Sequence, residues 1–170
     1  MTRRQLIQGA LGWTALSNCM VAKAAAISLS CTPAPSFPVP LSEGVWRSQE
    51  FPVGNHDYHV HLIVDRRMPL EELDCDLGSP RPGHQCNIPP LLDLEWRIFD
   101  GTTLVKNWPT KPISADAGSE ASTSCLLGDF EGRRNGHFTL ELNVRNNAGR
   151  LRDLHPRVQI VKNPGYWCWL

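Results

Sequence analysis

The stretch GHFTLELNVR, Gly136 to Arg145, alternates without a break. Phe138, Leu140, Leu142 and Val144 take one parity, and His137, Thr139, Glu141, Asn143 and Arg145 the other. A period of two predicts a strand with one face in a core and the other, polar, face in water. It points to an antiparallel sheet and so to an all-β domain.

Working outward, the same pattern recurs. Downstream, NNAGRLRDL (Asn146 to Leu154) reads as a loop or a single helical turn, and RVQIV (Arg157 to Val161) as a last strand. Upstream, CLLGDFEG from Cys125 reads as a short strand before a turn at Arg133 to Gly136. LLDLEWRIFD (Leu91 to Asp100) alternates, with Leu92, Leu94, Trp96 and Ile98 on one face. Asp100-Gly101 then favours a hairpin turn, with a return strand over Thr102 to Trp108. DYHVHLIVD (Asp57 to Asp65) places Tyr58, Val60, Leu62 and Val64 on one face and His59, His61 and Ile63 on the other. GVWRSQEFPV (Gly44 to Val53) is a weak edge strand, because Pro52 cannot donate to a ladder.

Two segments break the pattern. PLEELDCDLG (Pro69 to Gly78) has Pro at the start, acids in the first turn and Gly at the end, which predicts a short helix. Pro109 to Ser124 is a polar loop rich in Pro, Ser, Ala and Gly, long enough to suggest a functional role. No long amphipathic helix lies between strands, so a parallel α/β fold is disfavoured. The expected fold is an all-β antiparallel β-sandwich, immunoglobulin-like or jelly-roll-like, with one short helix in a crossover loop. The strand Gly136 to Arg145 is expected to lie centrally, near the strands Tyr58 to Val64 and Leu92 to Ile98.

The N-terminus reads as an address. Arg3 and Arg4 precede the apolar run Leu6 to Ala15, so residues 1–30 are expected to be an export signal peptide. TRRQLI (Thr2 to Ile7) also fits a twin-arginine signal, and a general secretory signal remains the alternative. Ala22-Lys23-Ala24 and Ala24-Ala25-Ala26 suit a signal peptidase, while Cys19 and Cys31 each follow an imperfect lipoprotein box. The leucine before Cys31 sits one place late.

Cysteine parity favours lipidation at Cys31. The chain carries six cysteines, and a start at Cys31 with a lipid leaves Cys75, Cys86, Cys125 and Cys168 to pair. Cys75 with Cys86, and Cys168 with Cys125, are the simplest pairs. The second would hold the terminal Tyr166-Trp167-Cys168-Trp169-Leu170 run on the domain. Thr32 to Pro40, TPAPSFPVP, makes residues 31–40 a Pro-rich tether, followed by the sandwich domain at 41–170. The expected location is the periplasm or the outer membrane, held to the bilayer through the lipid.

Formal net charge is +0 over 170 residues. A start at Cys31 removes three bases and no acid, so 14 bases face 17 acids. Neither balance suits a nucleic-acid surface. His59 and His61 on one strand, with His56 nearby, suggest a zinc or copper site, for which His84, His137 and Asp65 are the further candidate ligands. The plainer alternative is an exposed polar strand face, and no metal or cofactor is assigned. The cysteines lack a C-x-x-C pair, and no G-x-S-x-G occurs. Carboxylate pairs such as Asp93 and Glu95 would suit a hydrolase only if they faced one another across a cleft. The leading expectation is a non-catalytic binding domain with a protein or glycan partner, one version of which is an immunity or inhibitor protein. Trp108, beside the long loop, and Trp46 are its candidate contacts.

FPVPLSEG (Phe37 to Gly44), DYHVHLIVDRR (Asp57 to Arg67) and GHFTLELNVRNNAGRLRDLHPRVQIVK (Gly136 to Lys162) together resemble a family of small exported bacterial lipoproteins, catalogued as domain of unknown function 5625. The resemblance implies a β-sandwich displayed in the cell envelope and brings no catalytic residues with it.

Overall fold

The computed structural model describes residues 35–109, 114–116 and 119–163. All of them lie in the compact unit Cys31–Leu170. The strands in chain order are β1 (Ser36–Pro38), β2 (Gly44–Arg47), β3 (Phe51–Val53), β4 (Asp57–Asp65), β5 (Leu94–Asp100), β6 (Thr103–Pro109), β7 (Ser114–Asp116), β8 (Ser122–Glu131), β9 (Gly136–Val144) and β10 (Arg157–Asn163). A helix, α1 (Leu70–Asp76), follows β4, and a 3₁₀ turn, Gly149–Asp153, precedes β10.

The strands form two antiparallel sheets. One has the order β1-β10-β4-β8-β7. The other has the order β2-β9-β5-β6, with β3 also on β9. Their inner faces meet in one core. Phe138, Leu140 and Leu142 of β9 are fully buried, as are Val60, Leu62 and Val64 of β4. Each such side chain contributes about 2 kcal/mol on leaving water. The all-β sandwich expected from the alternating strands is therefore the architecture found.

The strand that opened the reading is central, between β2/β3 and β5. Leu140 pairs with Ile98 and Leu142 with Trp96. β4 is not its neighbour in the ladder: it belongs to the opposite sheet, and the two strands share the core instead. Period two says which face is apolar but carries no information about which strand is beside which.

The hairpin at Asp100-Gly101 forms as expected. Asp100 pairs with Thr103, and Gly101 takes the left-handed φ of 57° that the tight turn requires. Elsewhere the boundaries shift. Gly44–Val53 is two strands on β9 rather than one, with Pro52 on the outer strand, where a missing N–H costs nothing. Within the stretch read as a loop, β7 pairs with β8. The expected short strand at Cys125 begins at Ser122 and runs ten residues in the middle of its sheet. The Pro-rich 31–40 segment is also partly sheet. Ser36–Pro38 pairs with β10, and Val39 and Leu41 are buried, so the domain includes residues from Ser36 onward.

One close approach fixes the two sheets together. β8 carries a bulge: Val60 of β4 faces Gly128 and the next residue, His61, faces Leu126. The Leu127 carbonyl left out of the ladder accepts a 3.0 Å hydrogen bond from the indole N–H of Trp96 in the other sheet. Trp96 is fully buried, and its ring lies over Gly128, where a Cβ would come within 2.5 Å of Cζ2. A strand glycine here admits the indole.

The open sides of the sandwich are closed by side chains. On one side Phe37 of β1 packs against Trp46 of β2 and Phe51 of β3, with centroids 6.4 and 5.5 Å apart. On the other, Lys106 of β6 reaches Asp129 of β8 at 2.8 Å.

Candidate functional site

Trp108 lies directly opposite Trp96 in the β5–β6 ladder. Trp96 belongs to a strand with neighbours on both sides and is core; Trp108 is on the outer strand and keeps 37% of its surface. The Lys106 ammonium sits 4.8 Å from the Trp108 ring centroid, a cation–π contact that helps hold the indole in place. Beside it is a recess of about 210 Å³ lined by Glu95, Trp96, Arg97, Asn107 and Trp108.

The polar side chains at this recess are positioned by a charge ladder across the outer face of the sheet. Glu141 of β9 is buried and lies between two guanidiniums. Arg47 Nε donates to its Oε2 at 2.6 Å and Arg97 Nη1 to its Oε1 at 3.2 Å. Arg145 donates to Glu95. Alternation placed Glu141 on the solvated face of β9, yet its two arginines cover it, so its side chain is only 5% exposed. The recess thus brings an edge indole, which shares the inner parity of Trp96, near a carboxylate, an amide and a guanidinium on the outer parity of the same two strands.

Trp46, the second candidate, is half-buried in the aromatic seam with Phe37. It faces the core side, opposite Leu142, rather than solvent. His59 and His61 are adjacent on β4, with ring centroids 5.8 Å apart. His61 is buried, where an exposed strand face was expected. Among the described residues no group of three or more His, Cys, Asp or Glu is placed to hold a metal ion.

The short helix is found at Leu70–Asp76, and Cys75 is joined to Cys86 by a disulfide. This module holds two buried carboxylates, Asp74 and Asp76. Arg81 Nε donates to Asp74 at 2.8 Å, and Arg150 Nε to Asp76 at 2.5 Å. The Asp76 bond, more than any other contact, raises the Arg150 guanidinium above its ordinary range. The Asp76 carbonyl also accepts the backbone N–H groups of Leu91 and Leu92 at 2.9 and 3.2 Å. The helix, the disulfide loop, the entry to β5 and the 3₁₀ turn are thus one structural unit. Cys125 is buried in β8; its expected partner Cys168 and the expected lipid site Cys31 lie outside the described residues.

A second cluster was missed by the sequence reading. Asp65, at the end of β4, meets His155, just before β10: Nδ1 is 2.7 Å from Oδ2. Arg157 Nη1 lies 3.4 Å from Oδ1, and Arg67 Nη2 3.5 Å from Oδ2. Arg67 Nη2 is also 2.9 Å from His155 Nδ1. A guanidinium only donates, so Nδ1 either gives its proton to Asp65 or, unprotonated, accepts from Arg67. The His155 hydrogen bond, followed by the charges and bonds of His155 and Arg157, holds the Asp65 carboxyl below its ordinary value, against the opposing effect of partial burial. Asp65 and His155 are 90 positions apart, and only the β4–β10 pairing brings them together.

No family model matches this chain, and no curated protein matches it. Among solved structures it is similar to a crystal structure of a protein from Sulfurospirillum deleyianum, at 13% identity and a TM-score of 0.53. The similarity covers 76% of this chain and 97% of the other. At that identity the likeness concerns the fold.

Proposed function

We propose that this chain is an exported envelope domain, anchored by a lipid on Cys31, that binds a glycan without transforming it. The single observation that carries the binding reading is Trp108. It is a large indole, 37% exposed, on the outermost strand of its sheet, where it lines a polar recess and can offer a stacking face. Glu95, Arg97 and Asn107 supply the directional contacts that a sugar ring needs, and the indole face supplies the stacking. The Cys75–Cys86 disulfide supports an oxidising compartment, as does the export-type N-terminus. The likeness to the lipoprotein family named above supports the same address.

Glycan binding is tested by titrating the purified protein with a panel of envelope oligosaccharides while following tryptophan fluorescence. Trp108→Ala is expected to lose binding by tenfold or more with an unchanged melting curve, since its indole contributes little to the core. Binding by the variant equal to that of the parent would refute the site, and no binding by the parent would refute the function. Intact mass tests the anchor: an acylated Cys31 is expected, and an unmodified chain starting at Ala25 or Ile27 would overturn it.

A further inference from the structure

We infer that Asp65, Arg67, His155 and Arg157, with the apolar groove beside them, form a docking site for the free C-terminal carboxylate of an extended peptide. The site is separate from the Trp108 recess and does not depend on its function.

The charge count comes first. Asp65 is one carboxylate, and Arg67 and Arg157 both lie against it. One positive charge therefore remains even with His155 neutral, and a second is added on its protonation. Asp65 uses few of the available donors, since each guanidinium carries five N–H groups. The side chains of Arg67, His155 and Arg157 stay 55%, 67% and 38% exposed. The carboxylate thus acts as a hub that holds two guanidiniums and an imidazole in place and leaves them exposed.

The second observation is backbone strain. His155 has a φ of 47°, in the left-handed region that a residue with a side chain rarely adopts. It also precedes Pro156, which disfavours helical backbone on its own account. The conformation is held from both sides: the imidazole is bonded to Asp65, and the Pro156 carbonyl accepts from Val39 N–H at 2.9 Å. Strain of this kind marks a side chain that is being positioned.

The third observation is the groove. Ser36, Pro38, Val39, Pro40, His155 and Pro156, together with Arg157, line a shallow surface groove of about 600 Å³. Three prolines and Val39 make its wall apolar, and its cationic end is where Pro38 pairs with Arg157. β1 is the terminal strand of its sheet, and among the described residues no strand pairs its outer side. An extended peptide laid along that edge finds apolar contacts for its side chains and, at the Arg157 end, donors for a carboxylate. Charge complementarity and the edge strand together select this occupant.

The probe is an array of synthetic peptides with randomised last four residues, each made with a free C-terminus and as the amide, and applied to the purified full-length protein. Binders are expected to have apolar side chains next to a free carboxylate, and amidation is expected to weaken them by about tenfold, as for loss of charge-assisted hydrogen bonds. Arg67→Gln and His155→Gly should weaken binding to a similar degree, whereas Trp108→Ala should not. His155→Gly also separates binding from folding: glycine accepts the left-handed backbone, which offsets the lost bond to Asp65, so this variant should still unfold in a single cooperative transition. The inference is overturned if no peptide binds, if amides bind as well as acids, or if both variants bind normally. Binding of inorganic phosphate or decanoate with no peptide binding would overturn the peptide as occupant.

Discussion

Gly128→Ala tests the contact between the two sheets. The added Cβ would lie 2.5 Å from Cζ2 and 3.2 Å from Cε2 of Trp96. That ring is fully buried and held by its 3.0 Å bond to the Leu127 carbonyl. The indole is rigid and belongs to one close-packed core with Leu62, Leu127 and Phe130. Overpacking of this kind costs about 1–3 kcal/mol. If the ring moves to relieve it, the Leu127 carbonyl is orphaned in the core, at a further cost of about 1–3 kcal/mol. Together these give about 2–6 kcal/mol, or a melting temperature lower by roughly 8–24 °C for a domain of this size. Urea unfolding followed by fluorescence reads it directly. A double-mutant cycle with Trp96→Phe sharpens the test. Phenylalanine removes the fused ring that carries Cζ2, so the two changes should couple, and Gly128→Ala should cost at least 1 kcal/mol less in the Trp96→Phe background. A Gly128→Ala protein within 1 kcal/mol of the parent, or a cycle with no coupling, would refute the reasoning.

Three further outcomes follow from the same geometry. Replacing both Cys75 and Cys86 by serine should lower stability by about 3 kcal/mol by equilibrium unfolding, the chain-entropy value for a loop closed across a separation of 11 residues. Arg150→Ala leaves buried Asp76 without its guanidinium and should cost about 2–3 kcal/mol; Asp76→Asn in the same background should recover part of it. Asp65 has its folded-state pKa lowered below the ordinary 3.8, so its contribution is fully present above that value and is lost as the pH falls through the lowered one. The stability gap between the parent and Asp65→Asn, measured by urea unfolding across pH 2 to 7, should be level above about pH 4 and shrink below it. A gap that fails to shrink as the pH falls below about 4 would contradict the hub.

Much of the fold was legible because burial on one face forces period two. β4, β5, β9 and the hairpin at Gly101 all follow from it. α1 was equally readable, since Pro69, Glu71, Glu72 and Gly78 are local signals that need no partner. β8 was read short because it reaches back into Ser122, Thr123 and Ser124, whose small polar side chains resemble loop composition. Thr123 is buried there all the same. β1 was hidden by Pro38 and the prolines flanking it, which an outer strand tolerates and a propensity argument rejects. Of the candidate contacts, Trp108 keeps an exposed position by an accident of strand order, and Trp46 does not.

The sequence by itself determined the faces: which side chains of each strand leave water, where the chain turns and where the short helix sits. It also carried the N-terminal features from which export and a lipid anchor are proposed. Strand order and register were decided only by the tertiary structure, because alternation is the same whichever strand lies alongside. That order placed Trp96 over Gly128, buried Glu141 between Arg47 and Arg97, and set Trp108 at a rim. It also closed Asp65 onto His155 across 90 residues. A carboxylate and an imidazole that far apart have no local pattern to announce them; pairing β4 with β10 is what makes them one site.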